Sequence, residues 1–156
     1  MSTCQLSFDT SLGFISIIED QGLITHIKFQ KLDNKKPSLQ LLKAKDEIRQ
    51  FLNQKRKELT FKTKVTGSKN QLKVWKQIKK VPYGKCVSYK NISKQTKIHP
   101  RLVGKICGEN RLPLYIPCHR IIRSNGSLGG YSARGGINLK KKLLKIEKLN
   151  KYSFVC

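Results

Sequence analysis

A thiol, an imidazole and a guanidinium stand side by side at Cys118, His119 and Arg120, inside the otherwise apolar run Ile116-Pro117 to Ile121-Ile122. Residues of these types in this order can build a nucleophile. Sulfur attacks as the thiolate, and a free thiol of pKa ~8.5 supplies little of it at neutral pH unless a base or a positive field assists. The Cys-His pair alone fits better an inert core cysteine whose neighbours point elsewhere. Downstream lie Asn125-Gly126, a turn signal, and then the small-residue stretch Gly129-Gly130-Tyr131-Ser132.

The surrounding elements must position these groups. Thr66-Gly67-Ser68 marks a boundary, and Ser68 with Gln71 has capping-box spacing ahead of Leu72, Trp75 and Ile78, which predicts an opening helix. Trp75 shares that apolar spacing, so it is read as core and not as a base-stacking platform. Pro82-Tyr83-Gly84 ends the helix. Tyr89 to Gln95 and Arg101 to Gly108 then read as two short helices joined by residues 96–100, a pattern that fits a helix-turn-helix. Leu139, Leu143 and Ile146 form a helical stripe with Glu147 at its edge.

Earlier in the chain, Leu6-Ser7-Phe8, Phe14 to Ile18 and Leu23 to Phe29 are β-rich runs parted by Gly13 and an Asp20-Gln21-Gly22 turn. Leu39, Leu42, Ile48, Phe51 and Leu52 then recur at helical intervals, and Leu59-Thr60-Phe61 reads as a returning strand. The expected architecture is an α/β N-terminal domain, residues 1–65, with a small antiparallel sheet. A mainly helical C-terminal domain, residues 66–156, contains the helix-turn-helix.

Thirty-three Lys+Arg against 9 Asp+Glu give a formal net charge of +24 over 156 residues. Such a field attracts polyanions and makes their binding steeply salt-dependent through counterion release. Charge alone does not distinguish DNA from RNA or an anionic membrane, but no long apolar run or basic amphipathic anchor favours the membrane. The 38% hydrophobic content suffices for a core at this length. Five cysteines, at 4, 86, 107, 118 and 156, show no Cys-x-x-Cys spacing, so they read neither as a disulfide framework nor as a zinc knuckle. A reducing intracellular compartment, cytoplasmic or nuclear, fits best, and Met1 to Gln5 lacks the basic start of a secretory signal.

Pro117-Cys118-His119-Arg120 followed by two β-branched residues, Asn125-Gly126 and Gly129 to Ser132 resembles the active-site segment of the 6-O-alkylguanine-DNA alkyltransferase family. Val74-Trp75, Val81 to Lys85, Val87-Ser88-Tyr89, Arg101 to Gly104 and Asn110 follow that family's landmarks in order, whereas the first 65 residues match more loosely through Ser11-Leu12-Gly13 and Gln21-Gly22-Leu23. The resemblance implies direct, irreversible transfer of one alkyl group from guanine in double-stranded DNA to the protein's own cysteine. It implies a monomer with no obligate protein partner, no membrane and no cofactor.

Residue by residue, Cys118 matches the nucleophile, His119 the general base acting through a water, and Glu147 the carboxylate that orients the imidazole. Tyr89 matches the tyrosine that turns the target phosphate and donates to the ring nitrogen of the leaving base. Arg101 matches the arginine that fills the space left by an extruded nucleotide, and Gly104 belongs to the small face beside it. Asn110 matches the brace of the active-site turn, with Pro117 and Arg120 as its structural support. Tyr131 and Ser132 correspond to a lid, the Ser132 N–H to a donor at the leaving oxygen, and the Cys118 and Ile121 carbonyls to readers of the exocyclic amine.

Two features depart from the family pattern. Leu102, Lys105 and Ile106 replace small residues near Arg101, either packing inward or acting as wedges, and the stretch from Tyr131 to Leu143 is about two residues longer than in many relatives. The zinc site of some relatives lacks its partners: Cys4 stands alone, as do His26 and His99. Cys86, Cys107 and Cys156 carry no partner pattern and are assigned no catalytic role. Two alternatives remain at this stage: a related recognition protein that does not transfer, which would replace Cys118, and a basic helix-turn-helix regulator, which would need neither Cys118 nor His119.

Overall fold

The computed structural model describes residues 3–131 and 133–147. The chain divides into two compact units, Met1–Val65 and Thr66–Cys156.

In the first unit, β1 (Cys4–Thr10), β2 (Gly13–Asp20) and β3 (Leu23–Lys28) form an antiparallel meander in that order. Leu6 opposes Ile17 and Phe8 opposes Ile15, so one face is continuous aliphatic core. The β2–β3 connection is Gln21-Gly22 with positive φ at both residues, the primed geometry whose twist suits a two-residue hairpin. Helix α1 (Leu39–Leu52) starts where the Ser38 side chain accepts the Leu41 N–H, a cap worth about 1 kcal/mol. It packs on the sheet through Leu41, Ala44, Ile48, Phe51 and Leu52.

The helix forms where the spacing of its leucines puts it, but the strand expected after it does not. Leu39 and Leu42 are exposed, at 80% and 47%, because Leu41 and Ala44 lie on the same side of the helix as Ile48 and Phe51 and turn the other two outward. Leu59 to Phe61 is not a strand. Both apolar side chains are buried, but the Glu47 carboxylate captures the Thr60 N–H at 2.6 Å, and the β-bridge to the sheet falls further on, between Ile24 and Thr63.

In the second unit, α2 (Lys69–Lys79) opens with the complete Ser68/Gln71 capping box and buries Val74, Trp75 and Ile78. Leu72 is 41% exposed, so Val74 takes the core position expected of it. The Trp75 indole N–H reaches the Ile106 carbonyl at 3.2 Å, so the ring is core. Strand β4 (Val87–Ser88) runs into α3 (Tyr89–Thr96), which ends where Lys97 adopts left-handed backbone. Helix α4 (Pro100–Gly108) begins with His99 accepting the Arg101 N–H and Pro100 in its first turn. A 3-10 turn (Cys118–Arg120) leads into β5 (Ile121–Ile122), which pairs in parallel with β4, and α5 (Gly136–Ile146) packs against that turn. The buried positions of α5 include Leu139, Lys140, Leu143 and Leu144; Ile146 is only partly buried, which corrects the expected stripe.

Candidate active site

Cys118 begins the 3-10 turn, 5% exposed, at the wall of a cavity of about 640 Å³. Its position is fixed by backbone on both sides: the Cys118 N–H donates to the Ile116 carbonyl at 2.8 Å, and the Arg120 N–H to the Pro117 carbonyl at 2.9 Å. Asn110 ties the approach down. Its Nδ2 donates to the Ile116 carbonyl at 2.8 Å and to Cys118 Sγ at 3.1 Å, while its Oδ1 accepts the Leu112 N–H at 2.9 Å.

His119, wholly buried, faces away from solvent toward the end of α5. Its Nε2 lies 2.5 Å from Glu147 Oε2, and the same carboxylate accepts from Arg120 Nε at 2.9 Å and from the Gly84 N–H at 3.0 Å. Arg120 Nη1 also reaches the Val81 carbonyl at 2.7 Å, so the guanidinium is spent on the scaffold. Burial alone would push the Glu147 carboxyl up, but the hydrogen bonds and charges of His119 and Arg120 overcome it and bring the group down to about 2. Burial pulls His119 down, with Arg120 and Lys140 assisting, against the upward pull of Glu147. The pair therefore rests as a carboxylate with a neutral imidazole. That assignment places the proton on Nε2 and leaves the lone pair on Nδ1, a buried atom with no hydrogen-bond partner among the described residues.

The thiol itself is held protonated at rest. A hydrogen bond with the Cys107 side chain and burial push Cys118 upward, against weaker pulls from the Asn110 amide and the Lys140 ammonium. Cys107, assigned no role from sequence, thus sits beside the nucleophile. Cys86 does not; it packs in an apolar cluster with Ile122, Leu128 and Leu144.

The cavity brings most of the remaining sequence candidates together. Tyr89, the first residue of α3, lines it, as do Arg101 and Gly104 of α4. Arg101 is exposed, and a Cβ built on Gly104 meets nothing within 4 Å. Ile106 packs inward at 2% exposure, whereas Leu102 and Lys105 are exposed. Tyr131 also lines the cavity, its hydroxyl buried and without a partner among the described residues, and burial pushes both Tyr89 and Tyr131 upward, keeping them as neutral phenols. Gly129 is required where it stands. Its φ is +72°, and a Cβ there would lie 3.2 Å from the Tyr89 ring. Ser132 and Cys156 lie outside the described residues.

Ile121, the first residue of β5, is wholly buried. Its carbonyl accepts Lys140 Nζ at 2.6 Å, and the Cys118 carbonyl accepts the Ile121 N–H, so each oxygen has one lone pair left. Lys140, Cys107, Arg123 and the Tyr83-Gly84 corner are site groups that sequence reasoning missed. A helical-wheel reading could have found Lys140: of three consecutive lysines, it alone is three and four residues from Leu143 and Leu144.

Among the described residues no group of three or more His, Cys, Asp or Glu is placed to hold a metal ion, and no described helix is long and apolar enough to cross a membrane. Residues 66–156 carry 21 of the 33 basic residues and two of the nine acidic ones, so the positive charge is concentrated in the unit that holds the cavity.

The family model described as 6-O-methylguanine DNA methyltransferase, DNA binding domain, matches residues 69–149. The chain is 41% identical over 104 residues to the inducible methylated-DNA–protein-cysteine methyltransferase of Bacillus subtilis, covering 65% of this chain and 57% of that protein. To the constitutive protein of the same bacterium it is 30% identical over 155 residues, covering 91% and 93%. It spans about half the length of several curated relatives. A crystal structure of Mycobacterium tuberculosis OGT in complex with DNA matches with a TM-score of 0.83 and 27% identity, over 97% of this chain and 95% of that one. With a family model spanning the cavity-bearing unit and a relative aligned along nearly the whole chain, this protein belongs to the 6-O-methylguanine DNA methyltransferase family.

Proposed function

We propose that this protein repairs 6-O-alkylguanine in double-stranded DNA by moving the alkyl group, irreversibly and once per molecule, onto Cys118. The observation that carries this reading is the Cys118 thiol at the cavity wall, followed by an imidazole whose Nε2 is held by a buried carboxylate and whose Nδ1 lone pair is unused.

The steps balance without a cofactor. His119 Nδ1 takes the Cys118 proton, directly or through one water, and Glu147 stabilises the imidazolium. Sulfur forms a bond to the alkyl carbon as the carbon–oxygen bond to guanine breaks. The electron pair goes to the base, whose ring nitrogen takes a proton from the Tyr89 hydroxyl, and the proton that His119 took from Cys118 returns through water to the Tyr89 oxygen. Guanine leaves neutral and a thioether remains. In this reading Asn110, with Pro117 and Arg120, braces the turn, Tyr131 and Ser132 enclose the base, and the free lone pairs of the Cys118 and Ile121 carbonyls face its exocyclic amine.

Reaching a stacked base requires extrusion. Helices α3 and α4 act as a helix-turn-helix laid on the minor groove, Gly104 allows close approach, and exposed Arg101 occupies the vacated space and offsets part of the unstacking cost. The protein works as a monomer inside the cell, in cytoplasm or nucleus. The test is incubation with duplex DNA containing labelled 6-O-methylguanine, then intact-protein mass and peptide mapping. One added methyl on Cys118 is expected; label remaining on DNA, or arriving elsewhere on the protein, would overturn the assignment.

A further inference from the structure

Lys140 is a costly side chain that the reaction above does not use. It is completely buried, and no carboxylate of the described residues pairs with it. An ammonium taken from water without a counter-ion is strongly unfavourable unless its three hydrogens are satisfied. Here they meet three carbonyls: Ile121 at 2.6 Å, Leu128 at 2.6 Å and Gly130 at 3.3 Å. These acceptors belong to two separate segments. Ile121 is in β5, directly after the Cys118 turn, and Leu128 and Gly130 are in the stretch that presents Gly129, Gly130 and Tyr131 to the cavity.

We propose that Lys140 is a positioning residue that clamps the 128–131 wall of the cavity to β5, setting the distance between Tyr131 and Cys118 that a flat purine must fit. The inference rests on the alkyl-transfer reading and adds a residue to it. A neutral methyl-terminated side chain of the same length would fill the space more cheaply but leave three carbonyls without donors. Neither segment has regular secondary structure long enough to hold itself: β5 is two residues, and the Leu128–Tyr131 stretch is neither helix nor strand. The ammonium therefore supplies cross-links that the backbone does not.

The clamp has a built-in pH dependence. Burial brings Lys140 down to about 8 from its ordinary 10.5. The groups facing it are Cys107 on α4, Cys118 on the turn, and Cys86 ahead of β4, which oppose that shift, and Arg123 after β5, which adds to it; the Tyr89 ring on α3 lies 5.8 Å from Nζ. Below about pH 8 three N–H bonds are available. Above it the neutral amine has two hydrogens for three carbonyls, its bonds lose charge assistance, and the wall loosens.

The test compares two reagents on Cys118. Free benzylguanine needs the purine-shaped cavity; iodoacetamide needs only an accessible thiolate. Their ratio cancels the ionisation of Cys118 itself. In the wild-type protein the benzylguanine-to-iodoacetamide rate ratio is expected to fall roughly tenfold between pH 7 and pH 9.5. Lys140→Met should lower the ratio at pH 7 by a similar factor and make it independent of pH. Lys140→Gln, which keeps N–H donors but does not titrate, should give an intermediate and also pH-independent ratio. A wild-type ratio that does not change with pH, or equal losses with both reagents in the variants, would overturn the clamp. The wild-type arm stands even if a variant does not fold. If the wild-type protein takes methyl but not benzyl, duplex 6-O-methylguanine replaces benzylguanine in the ratio; if it reacts with neither, it is the alkyl-transfer reading that fails.

Discussion

Glu147 and Arg120, 27 residues apart in sequence, form a buried ion pair with Nε 2.9 Å from Oε1, and that pair fixes the carboxylate against His119 Nε2. Breaking it from the acidic side leaves a guanidinium buried without its partner. Glu147→Gln is therefore expected to cost about 3–5 kcal/mol of stability and to slow alkyl transfer sharply. Denaturant unfolding at pH 7, alongside the transfer rate, checks both; a variant as stable as wild type would mean that the pair is not what holds the turn.

The same pair sets a pH dependence of stability. Glu147 falls to about 2 from its ordinary 4.5, so its contribution is fully present above pH 4.5 and is lost as pH drops toward 2, roughly 3 kcal/mol in all. His119 is also held below its ordinary 6.5, so the unfolded chain takes up a proton first as pH falls below 6.5 and stability starts to decline there. Wild-type stability should thus fall continuously from pH 6.5 downward. His119→Gln should remove the upper part of that decline, and unchanged behaviour between pH 6.5 and 5 would contradict the neutral, buried imidazole.

Cys118→Ser keeps nearly the same volume but replaces sulfur with a far poorer nucleophile. Transfer should vanish while binding to alkylated duplex DNA persists, as measured by label transfer and by a mobility or anisotropy titration. Label on the serine variant would point to a different acceptor, with Cys107 as the neighbouring thiol to examine.

Arg101 is exposed and lines the cavity from α4, and its proposed task is extrusion and not bond breaking, so its effect should depend on the substrate. Arg101→Ala is expected to slow repair of duplex DNA by about tenfold or more while leaving reaction with free benzylguanine within about twofold. Equal losses on the two substrates would remove the extrusion role. Binding to duplex should also weaken steeply with salt and vary little with flanking sequence, since phosphate contacts carry no base information. A tight palindromic consensus would instead mark a sequence-specific regulator.

A thioether on Cys118 has no good leaving group, so repaired guanines per active molecule should stop at one with lesion in excess. The added carbon also displaces the thiol contacts with Asn110 and Cys107, in a turn fixed on both sides by backbone hydrogen bonds. Insertions of that kind cost about 1–3 kcal/mol, so the alkylated protein should melt lower than the unmodified one. A ratio well above one would defeat the single-turnover mechanism, and an unchanged midpoint would show that the cavity accommodates the group freely.

Local patterns were enough to read the three strands, the Ser68 capping box, the helices flanking residues 97–99 and the segment around Cys118. Each depends on neighbours within about one turn of chain, where spacing and capping chemistry act directly. Hydrophobicity does not say which side of a helix meets the core, and Leu39, Leu42 and Leu72 turn outward because Leu41 and Val74 take the packed positions. The strand expected at residues 59–61 failed because a carboxylate from α1 took its backbone donor, a long-range event. Only the tertiary structure joined Gly84, Arg120 and His119 around Glu147, set Cys107 against Cys118, and turned one lysine of three into a buried donor to β5 and the opposite wall. Sequence carries the identity of a reactive group, but its ionisation depends on which distant charges and carbonyls the fold brings within a few ångströms in a medium that screens them poorly.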